Sequence, residues 1–310
     1  MKIAFLFSGQ LREIEFQLFR KSLLNLTQGL DYAIFAYSWE EIGKSLNHKD
    51  FLPEINLVEN IDEKINLLFN NFNLLDFGYE SFKNFKKGLK DQHREIFYSK
   101  KFDFGTVNSL PQIYTLHKSF ELLEKSEYNF DLVFRCRFDS IFIHPMEIFP
   151  LKEILSNGSI FNLNFGRAYY PNRIYDIFFG GSRKAMHFIS SIWDDIPYLV
   201  KNNFDNGLDK RDCCRILYLA ASKDNINIKS LPSRICDVYR NNDLKYSEYL
   251  ISSHLVNFRI NKKNISYINF IFKWLRERKL INAKITFYLL KAFILIPFIY
   301  LKRLKYLKIS

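Results

Sequence analysis

DLVFRCRFDSIFIH, residues 131–144, opens with a run of strand formers, Leu132, Val133 and Phe134, and then sets Arg135, Arg137 and Asp139 on alternate positions. Alternation with a period of two places all three on one face of a strand. Two guanidiniums and a carboxylate on one buried face are costly unless they meet a polyanion, a metal ion or one another. A phosphorylated ligand would satisfy all three. An ordinary sheet strand whose polar face closes on itself as an internal Arg–Asp pair would also do so, and the flanking sequence has to choose.

The flanks describe an α/β chain. Lys2–Phe7 is a compact apolar run that stops abruptly at Ser8-Gly9-Gln10-Leu11-Arg12, as a buried first strand entering a turn does. From Arg12 onward Ile14, Phe16, Leu18, Phe19, Leu23, Leu24 and Leu26 form one helical stripe, and Tyr32–Tyr37 follows as a second strand. This is a β-α-β unit. Ligands of such units gather at the carboxyl ends of the strands, where Ser8, Gly9, Gln10 and Arg12 would lie. A polar turn with Ser8 as a helix cap accounts for the same residues without a ligand.

Farther along, Ile61–Phe72 is a helix, and residues 83–101 form a charged stretch without a clear period. Ser109 can cap a helix, Pro111 suits its first turn, and Ile113, Leu116, Phe120 and Leu123 follow at helical spacing. Strands are expected at Ser159–Leu163 and at Tyr175–Phe179, the latter closed by Gly180-Gly181, with a helix from Ser182 to about Ile192. The run from Asp209 to Ala221 is a helix with acids in its first turn, where the macrodipole favours them. Ile226–Leu231 supplies a last strand.

With 310 residues, 48% of them hydrophobic and 17% aromatic, the chain has ample apolar surface to offset its conformational entropy, which excludes disorder of the bulk. The four cysteines, Cys136, Cys213, Cys214 and Cys236, form no CxxC and no zinc half-site of normal spacing, so reduced thiols are expected. Residues 1–11 are too short an apolar run, without a small-residue cleavage site, for a signal peptide.

The net charge is +12, and its location matters more than its size. Residues 262–310 carry twelve Lys or Arg against one acid, Glu277, a net +11 that leaves only +1 for residues 1–261. A near-neutral body with a basic end argues against a nucleic-acid-binding surface spread over the fold. Within that end Ile285–Leu301 is almost wholly apolar but interrupted by Lys291 and Pro297, and basic clusters flank it on both sides. Seventeen residues fall short of the roughly 20 of a spanning helix. The pattern predicts a basic amphipathic helical tail, residues 261–310, lying in the headgroup region of an anionic membrane beside a body of residues 1–260. Packing of the tail on the body as part of its core is the other reading.

Four stretches together, SGQLR at 8–12, SLPQIYTLHKSFELL at 109–123, DLVFRCRFDSIF at 131–142 and YDIFFGGSRKAM at 175–186, resemble bacterial glycosyltransferases of the GT-A type from capsule, O-antigen and lipooligosaccharide biosynthesis clusters. The resemblance covers roughly residues 1–220. It implies a GT-A-like, Rossmann-like α/β/α nucleotide-sugar domain that transfers a sugar from a nucleotide-sugar donor to a lipid-linked or surface glycan at the cytoplasmic face of the membrane. It also implies an Asp-x-Asp signature whose carboxylates and divalent cation grip the donor diphosphate. Here the matching place reads Arg137-Phe138-Asp139, so Asp139 is the one acid left to bind Mg²⁺ or Mn²⁺, unless Arg135 and Arg137 replace part of the metal's charge. Donor contacts are expected from Ser8, Gly9, Gln10, Arg12, Arg135, Arg137 and Asp139. An inverting transfer needs a base for the acceptor hydroxyl, and the candidates are Asp209, Asp212 and Asp176. The missing first acid also admits a catalytically inactive nucleotide- or glycan-binding protein of the same fold.

Overall fold

The computed structural model describes residues 1–11, 16–43, 55–98, 104–142, 145–146, 151–152, 155, 158–162, 173–202, 213–230 and 236–238. The expectations for Arg12, Asp209, Asp212 and the whole tail fall outside these residues. Among the described residues no helix is long and apolar enough to cross a membrane.

A seven-stranded mixed sheet forms the middle layer. Its first strands are β1 (Lys2–Gly9), β2 (Asp31–Trp39), β5 (Leu74–Glu80) and β6 (Leu132–Cys136), followed by β8 (Ile160–Asn162), β9 (Phe178–Ser182) and β10 (Ile228–Ser230). The spatial order is β10-β8-β9-β6-β1-β2-β5. β1 lies parallel between β2 and β6, with Phe5 opposite both Ile34 and Phe134. A strand enclosed in this way has no solvent side, which is why residues 3–8 are all buried and why its sequence is continuously apolar rather than alternating. β9 alone runs antiparallel to its neighbours β6 and β8. Two small antiparallel pairs lie outside this sheet, β3 (Glu41–Gly43) with β4 (Ile55–Leu57) and β7 (Ser140–Phe142) with β11 (Cys236–Val238).

Helices cover both faces. α1 (Phe16–Thr27) and α2 (Ile61–Phe69) pack on one side, where Phe7 meets Phe19, Phe69, Phe138 and Phe142 at ring separations of 5.0–6.2 Å. Edge-to-face pairs of this kind add about 0.5–1.5 kcal/mol each beyond their burial. The other side is built on α5 (Phe104–Lys125), whose Ile113, Leu116, Phe120 and Leu123 all enter the core as their spacing predicts. Around it lie α3 (Phe82–Gly88), α4 (Asp91–Tyr98), α6 (Arg183–Ser191), α7 (Ile196–Asn202) and α8 (Cys213–Lys223). The result is the α/β/α sandwich expected for the body.

Three local expectations are corrected. α5 begins at Phe104, not at a Ser109 cap, so Pro111 sits inside the helix, where its missing N–H leaves the Val107 carbonyl without its helical partner. The stretch 131–142 is two strands, not one: Ser140 N–H bonds back to the Arg137 carbonyl at 3.1 Å and makes a turn between β6 and β7. Gly180 and Gly181 do not close the strand but lie within β9, opposite Phe134 and Val133. Ser182 does cap α6, accepting from Ala185 N–H at 3.2 Å.

A carboxylate shared by two tyrosines marks the outer end of the sheet. Tyr37 Oη donates to Glu80 Oε1 at 2.9 Å, and Tyr114 hydrogen-bonds to the same side chain. Burial, and then these bonds to Glu80, push both phenols well above the usual tyrosine range. A group that holds its proton more tightly when folded contributes stability that is intact below its unfolded pKa, about 10, and is lost as pH rises above it. Tyr37→Phe should cost about 0.5–1.5 kcal/mol at neutral pH. It should also flatten the alkaline loss of stability, as urea titrations at neutral and strongly alkaline pH would measure.

Candidate functional site

The winding of the sheet selects one crevice. The connections from β1 to β2 and on to β5 run through α1 and α2 on one face, whereas α5 returns on the opposite face to place β6 on the other side of β1. The direction of winding therefore reverses between β1 and β6. In open α/β sheets ligands bind outside the carboxyl ends of the strands at such a reversal.

Among the described residues the two buried charged side chains, Arg135 and Asp139, lie there. Ser8, next to last in β1, is fully buried and accepts from Arg135 Nε at 3.0 Å. Arg135, next to last in β6, is 1% exposed, and its Nη1 donates to the Asp176 carbonyl. Its Nη2 has no hydrogen-bond partner among the described residues. One residue beyond β6, Arg137 grips Asp139 with a two-bond fork, Nε to Oδ1 at 2.8 Å and Nη2 to Oδ2 at 2.7 Å. Arg137 Nη1 donates to Asp176 Oδ2 at 3.0 Å. Asp176, on the turn that enters β9, also lies 3.9 Å from Arg135 Nη1 and accepts from Cys214 Sγ at 3.5 Å through its other oxygen.

The turn after β6 explains the fork. A straight strand would carry Asp139 about 7 Å beyond Arg137 on the same face, out of reach of a paired contact. The reversal at Phe138-Asp139 folds the carboxylate back onto the guanidinium, and Phe138 goes into the aromatic core on the opposite side. Burial works against the charge on Arg137, but Asp139 and then Asp176 outweigh it and hold the guanidinium above its usual basicity. Burial pushes the Cys136 thiol well up, so it is a neutral core group rather than a nucleophile.

Of the residues singled out by sequence, Ser8, Arg135, Arg137, Asp139 and Asp176 form one cluster. Gly9 follows Ser8 with φ of +122°, a conformation suited to glycine, and turns the chain away from β1. The Gln10 side-chain oxygen is buried without a hydrogen-bond partner among the described residues. Cys214 was read only as a reduced thiol, and no local signal connects it to Asp176, 38 residues away.

Among the described residues the donor set does not fit a divalent cation. Such an ion takes about six oxygen ligands, largely from carboxylates with free lone pairs. Asp139 is 2% exposed with both oxygens accepting from Arg137, and Asp176 is shared between Arg137 and Cys214. Among the described residues no group of three His, Cys, Asp or Glu side chains is placed to hold a metal. Asp139, the expected metal ligand, is held in an ion pair with Arg137 in this structure. Asp176, the described one of the three candidate bases, accepts from Arg137 through one oxygen and from Cys214 through the other.

No family model matches the chain, and no curated protein matches it. Among solved structures it is similar to mouse xyloside xylosyltransferase 1 in its apo form, at 9% identity over 74% of this chain and 85% of that one, with a TM-score of 0.41. It is also similar to a protein assigned as a nucleotide-diphospho-sugar transferase from Desulfovibrio desulfuricans G20, at 12% identity over 93% and 97%, with a TM-score of 0.42. At these scores neither likeness decides this chain's chemistry.

Proposed function

We propose that this protein is a glycosyltransferase that moves a sugar from a nucleotide-sugar donor to a lipid-linked or surface glycan at the cytoplasmic face of a bacterial membrane. The observation that carries the reading is the buried pair Arg135 and Arg137 at the crevice where the sheet reverses its winding. Guanidiniums suit phosphate oxygens because their N–H groups form a planar fork. The same groups that bind a donor diphosphate stabilise the charge it gains as the sugar departs, which is where transfer most needs help. Ser8, Gly9 and Gln10 border the crevice, and Arg12 is proposed to reach the donor from the segment that follows. Asp209 and Asp212, just ahead of α8, are the proposed sources of the base, with Asp176 positioning the arginines.

One observation favours the catalytically inactive alternative: both carboxylates of the cluster are already committed to Arg137. Incubating the protein with UDP-glucose, UDP-galactose, GDP-mannose and dTDP-glucose and measuring free nucleoside diphosphate separates the two. An active transferase releases it slowly without acceptor, and a binding protein releases none.

Attachment to the membrane is proposed for residues 261–310. Deleting residues 265–310 should leave a folded protein that still responds to nucleotide sugars but no longer sediments with anionic vesicles. A truncated chain that fails to fold would make the tail part of the core.

A further inference from the structure

The pairing of Arg137 with two carboxylates resembles the way carboxylates hold a cation, except that the cation is a side chain. Building on the donor reading above, we propose that this protein binds the diphosphate of its donor without a metal ion. The guanidinium of Arg137, backed by that of Arg135, stands in the cation's place, and Asp139 and Asp176 fix Arg137 there.

The turn after β6 brings Asp139 onto Arg137 through two bonds of 2.8 and 2.7 Å. With Asp176 at 3.0 Å, three guanidinium nitrogens are held by carboxylates, which fixes the plane of the group. The remaining hydrogen-bonding capacity of the cluster is of one kind. Every side-chain oxygen of Asp139 and Asp176 accepts a bond, while Arg135 retains a buried Nη2 without a hydrogen-bond partner among the described residues. A guanidinium nitrogen to spare, beside carboxylate oxygens that each already accept a bond, favours an anion over a further cation. Arginine also stays charged at any physiological pH, so its charge does not depend on the supply of an ion. Arg137 keeps a side-chain exposure of 16%, enough for its rim to meet a ligand, whereas Asp139 at 2% and Arg135 at 1% lie behind it.

The test compares the full-length protein in EDTA and in Mn²⁺. Its melting temperature is read with UDP, GDP, UDP-glucose, GDP-mannose, dTDP-glucose and inorganic pyrophosphate, since a ligand of the native state raises it. The expected result is stabilisation of the same size in EDTA and in Mn²⁺, and a roughly tenfold loss of affinity in Arg137→Lys, which keeps the charge but loses the fork. Stabilisation that appears only with Mn²⁺ would overturn the metal-free proposal and leave the donor reading standing. Recovery of Arg137→Lys by Mn²⁺ would overturn it too, because the freed Asp139 would then be acting as a ligand. No stabilisation by any probe under either condition would overturn both. The wild-type comparison decides the matter even if the variant does not fold.

Discussion

Gly180→Ala should remove much of the native stability of this protein. Gly180 lies inside β9 opposite Phe134, and a methyl group there would meet the Val133 carbonyl oxygen and the Phe134 ring, with Cγ only 2.6 Å away. Overpacking typically costs about 1–3 kcal/mol, and the upper end or more is expected where the obstacle is backbone that cannot turn aside. Against a total stability of about 5–15 kcal/mol the loss is large. Urea unfolding monitored by circular dichroism measures it. Adding Phe134→Ala should not rescue the variant, because the ring is only one of the two obstacles and its removal opens a cavity. A Gly180→Ala protein that melts within about 2 °C of the wild type would mean that β6 and β9 are not paired in the register described.

The second large effect is expected at the ion pair. Arg137→Met removes the fork that holds the buried Asp139 carboxylate, and breaking a buried pair from one side costs about 3–5 kcal/mol in comparable sites. Arg137→Met combined with Asp139→Leu should regain most of that loss, since replacing both members of a buried pair by apolar groups is often neutral. Stabilisation by nucleotide sugars should stay lost in both variants. Denaturant midpoints for the two single variants and the double variant give the coupling energy directly. Strict additivity would mean that the two side chains do not interact in solution.

Much of this architecture could be read from local pattern, and where it could not the deciding partner lies far away in the chain. β1, β2, α1 and the apolar stripe of α5 follow from runs and spacings that need no tertiary knowledge. The glycine pair was misread because glycine signals either a permissive turn or a close approach, and only the neighbouring Phe134, 46 positions earlier, makes it the second. For stretch 131–142, residue types pick out Arg135, Arg137 and Asp139, which the structure does bring together, but around a turn rather than along one face of a straight strand. Alternating polarity looks the same in a strand and in a strand that turns after its second arginine. An acid near a strand end suits a base, the role expected of Asp176. Its service to two arginines depends on β9 running antiparallel to β6, which no local signal announces.

The bond between Ser8 and Arg135 joins residues 127 apart. A ribosome adding about 5–20 residues per second takes roughly 6–25 s to cover that distance. Through that interval β1 has β2 to pair with, but the edge that β6 will occupy stays bare. It presents a continuous apolar run with unpaired backbone groups, the kind of surface to which another nascent chain can add a strand. The protein's exposure to misassembly is thus greatest during its own synthesis. Slowing translation between residues 40 and 130 should lower soluble yield more than slowing it after residue 140, when the centre of the sheet can close.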